Sequence, residues 1–413
     1  MKIGRLRGCS CFTALCGRFA SALGAVLFLL SALYAMPAGA QEVKKSGFTR
    51  PGILVTREQL IYVRAKIRAD QEPWKSAFER TLSDRLATRA PHPWQTVECG
   101  AYSNPNHGCN DETDDAKAAY TQALLWVYTR DERYAESTRR ILNAWADTLR
   151  GGHTNFNAPL QASWAAEQFT RAAEILEYTY DGWPQSEKSA VRRMFTEQYL
   201  PDVEKMFTEA GYQCYANNWH ASGIEAMMNI AIFTNNRNLF NRAVQKWREL
   251  VPAYIYEETD GPLPRDIPGC HRTPEQMIRR WHGQTTFVNG LVQETCRDLG
   301  HTDYGLAAII NAAETARLQG VDLYDEQRRR ITDAMEFNTK FRNGEPIPQW
   351  LCGGTLNLLD AKGTFEIGYN QYAVREGMSL PETNKFLERT RPTVGYFHYL
   401  WETLTHGLTG RAQ

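Results

Sequence analysis

The chain has 413 residues, 43% of them hydrophobic and 23% charged, the balance of a folded globular protein and not of a disordered one. Lysine plus arginine equals aspartate plus glutamate at 47 each. That balance removes any general pull toward nucleic acid or an anionic membrane, yet leaves room for a local basic cleft.

In chain order, the first element is a targeting segment. Lys2, Arg5, Arg7 and Arg18 precede an apolar run from Phe19 to Met36, and Ala38-Gly39-Ala40 follows as an A-x-A cleavage pattern. The run approaches the length that spans a bilayer, so the cleavage pattern decides for a signal peptide over residues 1–40. The expected product starts at Gln41, is periplasmic or secreted, and is free of the membrane. Six cysteines remain after that cut: Cys99, Cys109, Cys214, Cys270, Cys296 and Cys352. Export makes disulfides possible, and Cys99 with Cys109, in a Gly/Asn/Pro-rich segment, is the expected pair. No C-x-x-C pair is present, which argues against a structural zinc site. No metal or cofactor is expected.

Beyond residue 50 the pattern is helical. Ala116, Ala119, Tyr120, Ala123, Leu124 and Val127 recur at three- and four-residue steps, as do Tyr134, Ala135, Ile141, Leu142, Trp145 and Leu149. Asp131 is placed to cap the second stripe. Further helices are expected at about 56–86, 160–180, 186–208, 221–234, 237–253, 304–319 and 324–340. Period-two strand patterns are scarce and no fixed-length repeat is visible, so antiparallel helical hairpins in series are expected and a regular solenoid is not. The long polar stretches near 95–113, 150–158, 256–286 and 343–365 are candidate functional loops. No linker divides residues 41–413, which predicts one all-α domain.

Three segments carry a resemblance. Asn217-Asn218-Trp219-His220 precedes an apolar helix and Phe233-Thr234-Asn235-Asn236-Arg237; Asp260-Gly261-Pro262-Leu263-Pro264 forms an acidic turn; Arg297-Asp298-Leu299-Gly300-His301-Thr302-Asp303-Tyr304 leads into another helix. Together, in this order, they resemble the alginate lyases of polysaccharide lyase family 5. Residues 115–120, 141–146, 294–298 and 402–406 resemble the broader alginate-lyase-like group. The resemblance implies an incomplete (α/α) toroid or barrel of antiparallel hairpins, expected to be monomeric, that takes an anionic polysaccharide. It also implies β-elimination on a uronic-acid polymer, alginate or polyglucuronate.

The resemblance implies roles as well. Asn218 and Arg297 would neutralise the substrate carboxylate, because the C5 proton is too weakly acidic while that charge stands. Tyr304, seven residues after Arg297 as in the family, would handle protons if a nearby cation lowers its pKa. The family carries His where this chain has Trp219, and an indole cannot accept a proton. The base is then His301 or His220. Asn217, Trp219, His220, Arg265, His271, His282 and Glu294 are expected to touch substrate. Two other readings stay open. A glycoside hydrolase would need facing carboxylates, such as Glu294 with Asp260 or Glu225. A polysaccharide-binding protein without activity would fit Trp219.

Overall fold

In a computed structural model, residues 47–361, 363–392 and 396–409 are described. The expected signal peptide and the start at Gln41 lie outside them. The fold below belongs to the compact unit Ser46–Gln413. Its helices are α1 (Arg57–Arg68), α2 (Trp74–Ser83), α3 (Cys109–Thr129), α4 (Glu132–Thr148), α5 (Ala158–Thr179), α6 (Gln185–Met194), α7 (Leu200–Thr208), α8 (Asn218–Phe233), α9 (Arg237–Tyr254), α10 (Pro274–Arg280), α11 (Leu299–Leu318), α12 (Leu323–Glu326), α13 (Arg328–Arg342), α14 (Glu366–Tyr369), α15 (Pro381–Thr390) and α16 (Glu402–His406).

Two kinds of helix sort into two layers. α3, α5, α8 and α11 bury nearly every side chain they carry, and they pack one on the next in that order. Helices buried on every side form the inner layer, and their buried polar side chains, such as Glu112, Arg171, Glu225 and Glu314, are paired with one another or with neighbouring groups. α4 and α9 instead bury one stripe each, through Ile141, Leu142 and Trp145 and through Phe240, Val244, Trp247 and Val251, and they back α3 and α8 from outside. The result is an incomplete α/α toroid. The C-terminal segment fills the space beside it: the turn Phe397–Tyr399 packs on α5 and α11, and α16 on α1, α2 and α14.

Local chemistry sets the helix ends. Asp131 caps α4 as expected, accepting from the Arg133 amide, and Asp298 caps α11 by accepting from the His301 amide at 2.8 Å. That cap starts α11 at Leu299, ahead of the expected 304. The expected helix at 56–86 is broken in two at Pro73, which has no amide to donate. The one at 186–208 is also interrupted. A widened turn, Phe195–Tyr199, precedes Pro201 in the first turn of α7.

The expected loop 95–113 holds more structure than its composition indicated. β1 (Val97–Cys99) pairs antiparallel with β2 (Asn106–His107) and parallel with β3 (His153–Thr154). Three disulfides, Cys99–Cys109, Cys214–Cys270 and Cys296–Cys352, tie the loops at this end of the toroid.

Candidate active site

A cleft of about 450 Å³ opens where the N-terminal ends of α5, α8 and α11 converge. α11 and the residue before its cap supply Arg297, His301 and Tyr304. Asn217, Trp219 and Tyr215 come from the head of α8; Asn157, Gln161 and Trp164 from α5. Tyr102, Asn110, Thr113, Tyr396 and Phe397 complete the walls. Among the described residues that line it there is no aspartate or glutamate.

Buried carboxylates stand behind the α11 wall and orient it. Glu294 accepts from Arg297 Nη1 at 3.0 Å, from the Tyr254 hydroxyl at 3.1 Å, and from the Asn218 side chain and backbone at 2.8–3.0 Å. Asp298 holds His301 Nδ1 at 2.7 Å. Burial alone would raise the Asp298 pKa, but hydrogen bonds from the His301 ring and amide override it and hold this carboxyl below its usual range. An anion on Nδ1 fixes the proton there and leaves the Nε2 lone pair for the cleft. Tyr304 lies edge-on to His301, ring centroids 6.2 Å apart, and packs against Trp164 and Tyr396. Burial first, then the nearby Tyr396, Asp303 and Asp298, push its phenol well above the ordinary tyrosine value. The expectation that a cation would lower this pKa is therefore not met. Tyr304 is a neutral phenol, able to donate a proton.

The α8 wall differs. Asn217 is 7% exposed, and its Oδ1 is buried without a hydrogen-bond partner. Trp219 lies in an aromatic cluster with Tyr212, Tyr215 and Phe156, at centroid distances of 5.4–6.2 Å.

The other residues expected at the site lie elsewhere. The Asn218 amide nitrogen is committed to Glu294, so its neighbour Asn217 is the one that faces the cleft. His220 is 2% exposed, donates from Nε2 to the Met206 carbonyl of α7 at 2.9 Å, and does not line the cleft. Arg265 pairs with Asp260 at 2.6 Å. His271 lines a separate open groove with Arg272, Arg279 and Arg280, and His282 lines another beside the Cys296–Cys352 disulfide. Among the described residues, the carboxylate pairs a hydrolase would need are absent from the cleft. Asp260 is tied to Arg330 and Arg265. Glu225 is buried with Arg171 and His398. Glu167 joins that group to give three potential ligand atoms within 4.8 Å, but the Arg171 guanidinium already supplies the positive charge a cation would bring.

The alginate lyase family profile matches residues 63–348. The chain belongs to the alginate lyase family. It is a polysaccharide lyase, and its substrate is an anionic polysaccharide. No curated protein matches the chain. Among solved structures, a histidine-to-alanine variant of alginate lyase A1-III complexed with tetrasaccharide superposes with a TM-score of 0.61 at 16% identity, over 89% of this chain and 98% of that one. A tyrosine-to-phenylalanine variant of the same enzyme, also complexed with tetrasaccharide, gives 0.60 at 17% identity, over 89% and 97%. Alginate lyase A1-III from Sphingomonas species A1 gives 0.59 at 16% identity, over 89% and 99%. At these identities the structures share the fold.

For an alginate lyase family member, the cleft residues that motif reading missed are telling. Gln161, Trp164, Tyr396 and Phe397 sit in helical or C-terminal stretches, where an aromatic or a glutamine reads as core. The disulfides gave a better signal than their spacing promised. Cys99–Cys109 brackets Tyr102, Cys214 precedes Tyr215, and Cys296 precedes Arg297, so each bridge adjoins a residue of the cleft.

Proposed function

We propose that the cleft cleaves a uronic-acid polymer by β-elimination, with Arg297, Asn217, His301 and Tyr304 as the working groups. The observation that carries this reading is the composition of the cleft: one arginine, one carboxylate-held histidine and one neutral tyrosine on a single wall, with no carboxylate among the described lining residues. Arg297 takes the substrate carboxylate, and the Asn217 amide, which faces the cleft, adds an uncharged donor. His301 Nε2 removes the C5 proton. The electron pair forms the C4–C5 double bond, the C4–O4 bond breaks, and O4 takes the Tyr304 proton. Solvent then carries the proton from His301 back to the Tyr304 oxygen, so the net change is transfer of one proton from C5 to O4. Trp219 and its aromatic neighbours offer flat apolar faces to the sugar rings. Two structural neighbours hold a tetrasaccharide, which supports a cleft that takes several sugars at once.

We also propose that the protein works outside the cytoplasm. The signal-like segment over residues 1–40 and three disulfides support that placement. The deciding assay incubates the purified protein with polymannuronate, polyguluronate and polyglucuronate and follows the ultraviolet absorbance of unsaturated ends. A rise on at least one polymer is expected. New reducing ends without that absorbance would establish a hydrolase instead, and neither signal would leave a binding protein.

A further inference from the structure

We propose that Gln161 is a specificity-determining residue: a hydrogen-bond acceptor of fixed direction that reads a hydroxyl of the bound uronate. The proposal rests on the lyase reading above and goes beyond it. Gln161 lies on α5 one turn before Trp164, whose ring is 6.3 Å from that of Tyr304, so both residues face the reacting region. Its Nε2 donates to Glu112 Oε2 at 2.7 Å and to the Cys109 carbonyl at 3.0 Å. Both amide hydrogens are thereby used. Flipping the amide would set its oxygen against a carboxylate and a carbonyl, two acceptors, so the orientation is forced.

Glu112 is itself immobile. Its other oxygen accepts from His153 Nε2 and from the Tyr199 hydroxyl, both at 2.8 Å, and the opposite nitrogen of His153 is held by Asp202 at 3.0 Å. Burial opposes a charge on His153, but Glu112 and Asp202 overcome it and lift its pKa to about 9, so the ring is an imidazolium at neutral pH. A buried chain of fixed charges therefore points one carbonyl oxygen into a cleft that takes an anionic polymer. That oxygen repels a carboxylate and accepts from a hydroxyl. With Arg297 on the other wall drawing the carboxylate, the two define which way round the sugar ring lies.

The test pairs Gln161→Met, which keeps the volume and removes the acceptor, with Gln161→Ala, in which water can replace the lost side chain. Turnover and calorimetric affinity are measured on a uronate polymer and on the same polymer O-acetylated at its secondary hydroxyls. The wild type is expected to prefer the free polymer by about two- to tenfold, the size of one lost neutral hydrogen bond. The variants are expected to lose about two- to tenfold on the free polymer and little on the acetylated one, so the preference collapses. Equal losses on both polymers, or an unchanged preference, would overturn the proposal and leave the lyase reading intact. Binding that shows the same collapse without any unsaturated ends would uphold Gln161 and sink the lyase reading. A wild type that neither cleaves nor binds would sink both.

Discussion

His220 and His301 stand near the heads of two adjacent inner helices, and their surroundings separate them. The His301 side chain is 26% exposed in the cleft, with Asp298 on its Nδ1. His220, on α8, is buried against the Met206 main-chain carbonyl of α7, and burial, only partly offset by that bond, depresses its pKa to about 4. The Asp298 carboxylate orients the His301 ring with Nε2 toward the cleft, whereas burial against a main-chain carbonyl keeps His220 neutral and inert. The contrast extends to the two walls. The α11 wall carries charge and protons, while the α8 wall carries an amide and aromatic faces, the furniture of binding.

The strongest test of that division is on Tyr304. Tyr304→Phe removes the proton donor and is expected to cut kcat by about a hundred- to ten-thousand-fold, with KM and the helical circular dichroism little changed. Near-full turnover by the folded variant would break the assignment. Arg297→Ala comes next, at about a hundred- to a thousand-fold, because the carboxylate charge is then left uncompensated. Its loss should fall on both kcat and KM, since Arg297 holds substrate and intermediate alike. Trp219→Ala, on the opposite wall, is expected to raise KM about tenfold with a smaller change in kcat, from the lost area of ring contact. A Trp219→Ala variant with unchanged KM and a collapsed kcat would put chemistry on the wrong wall.

The toroid was legible in the sequence because helical periodicity is a long-range signal that many residues repeat. So was the α11 wall, where Arg297, His301 and Tyr304 all reach one cleft. On the α8 wall Asn217 and Trp219 reach the cleft as expected, but Asn218, read as a carboxylate-neutralising donor, turns inward to Glu294. Sequence order makes Asn217 and Asn218 equivalent, and only the Glu294 carboxylate, 76 residues further on in the chain, decides that Asn218 turns inward. The choice between His220 and His301 was open for the same reason, since Met206 and Asp298 are tertiary facts. Loop composition misled about His271 and His282. A long polar loop can be functional as a whole and still aim individual histidines into grooves other than the cleft.

The disulfides sharpen the comparison at a lower amplitude. Cys296–Cys352 abuts Arg297, and Cys214–Cys270 abuts Tyr215, so each staples one wall. Paired Cys→Ser replacement of either bridge is expected to cost about 2–4 kcal/mol of stability, measured by denaturant unfolding. Activity should separate the two. Loss of the bridge beside Arg297 should lower kcat, and loss of the bridge beside Tyr215 should raise KM. The same change in both variants would mean that the walls do not move independently.

The smallest effect is the pH signature of His220. Its folded pKa of about 4 lies below the value of roughly 6.5 for a free histidine, so between those limits the unfolded chain binds more protons than the folded one. Stability therefore rises with pH across this window. The contribution is present in full above about pH 6.5 and is lost as pH falls toward 4, at most about 3 kcal/mol for this one group. His220→Gln can keep the bond to the Met206 carbonyl through its amide but cannot take up a proton. The variant should show a flatter dependence of stability on pH between 6.5 and 4 than the wild type, while its turnover at neutral pH stays close to normal. His301→Gln should do the reverse for turnover at neutral pH, reducing kcat by about a hundredfold or more. A folded His220→Gln protein that had lost turnover would exchange the two histidines, and with them the roles given to the walls.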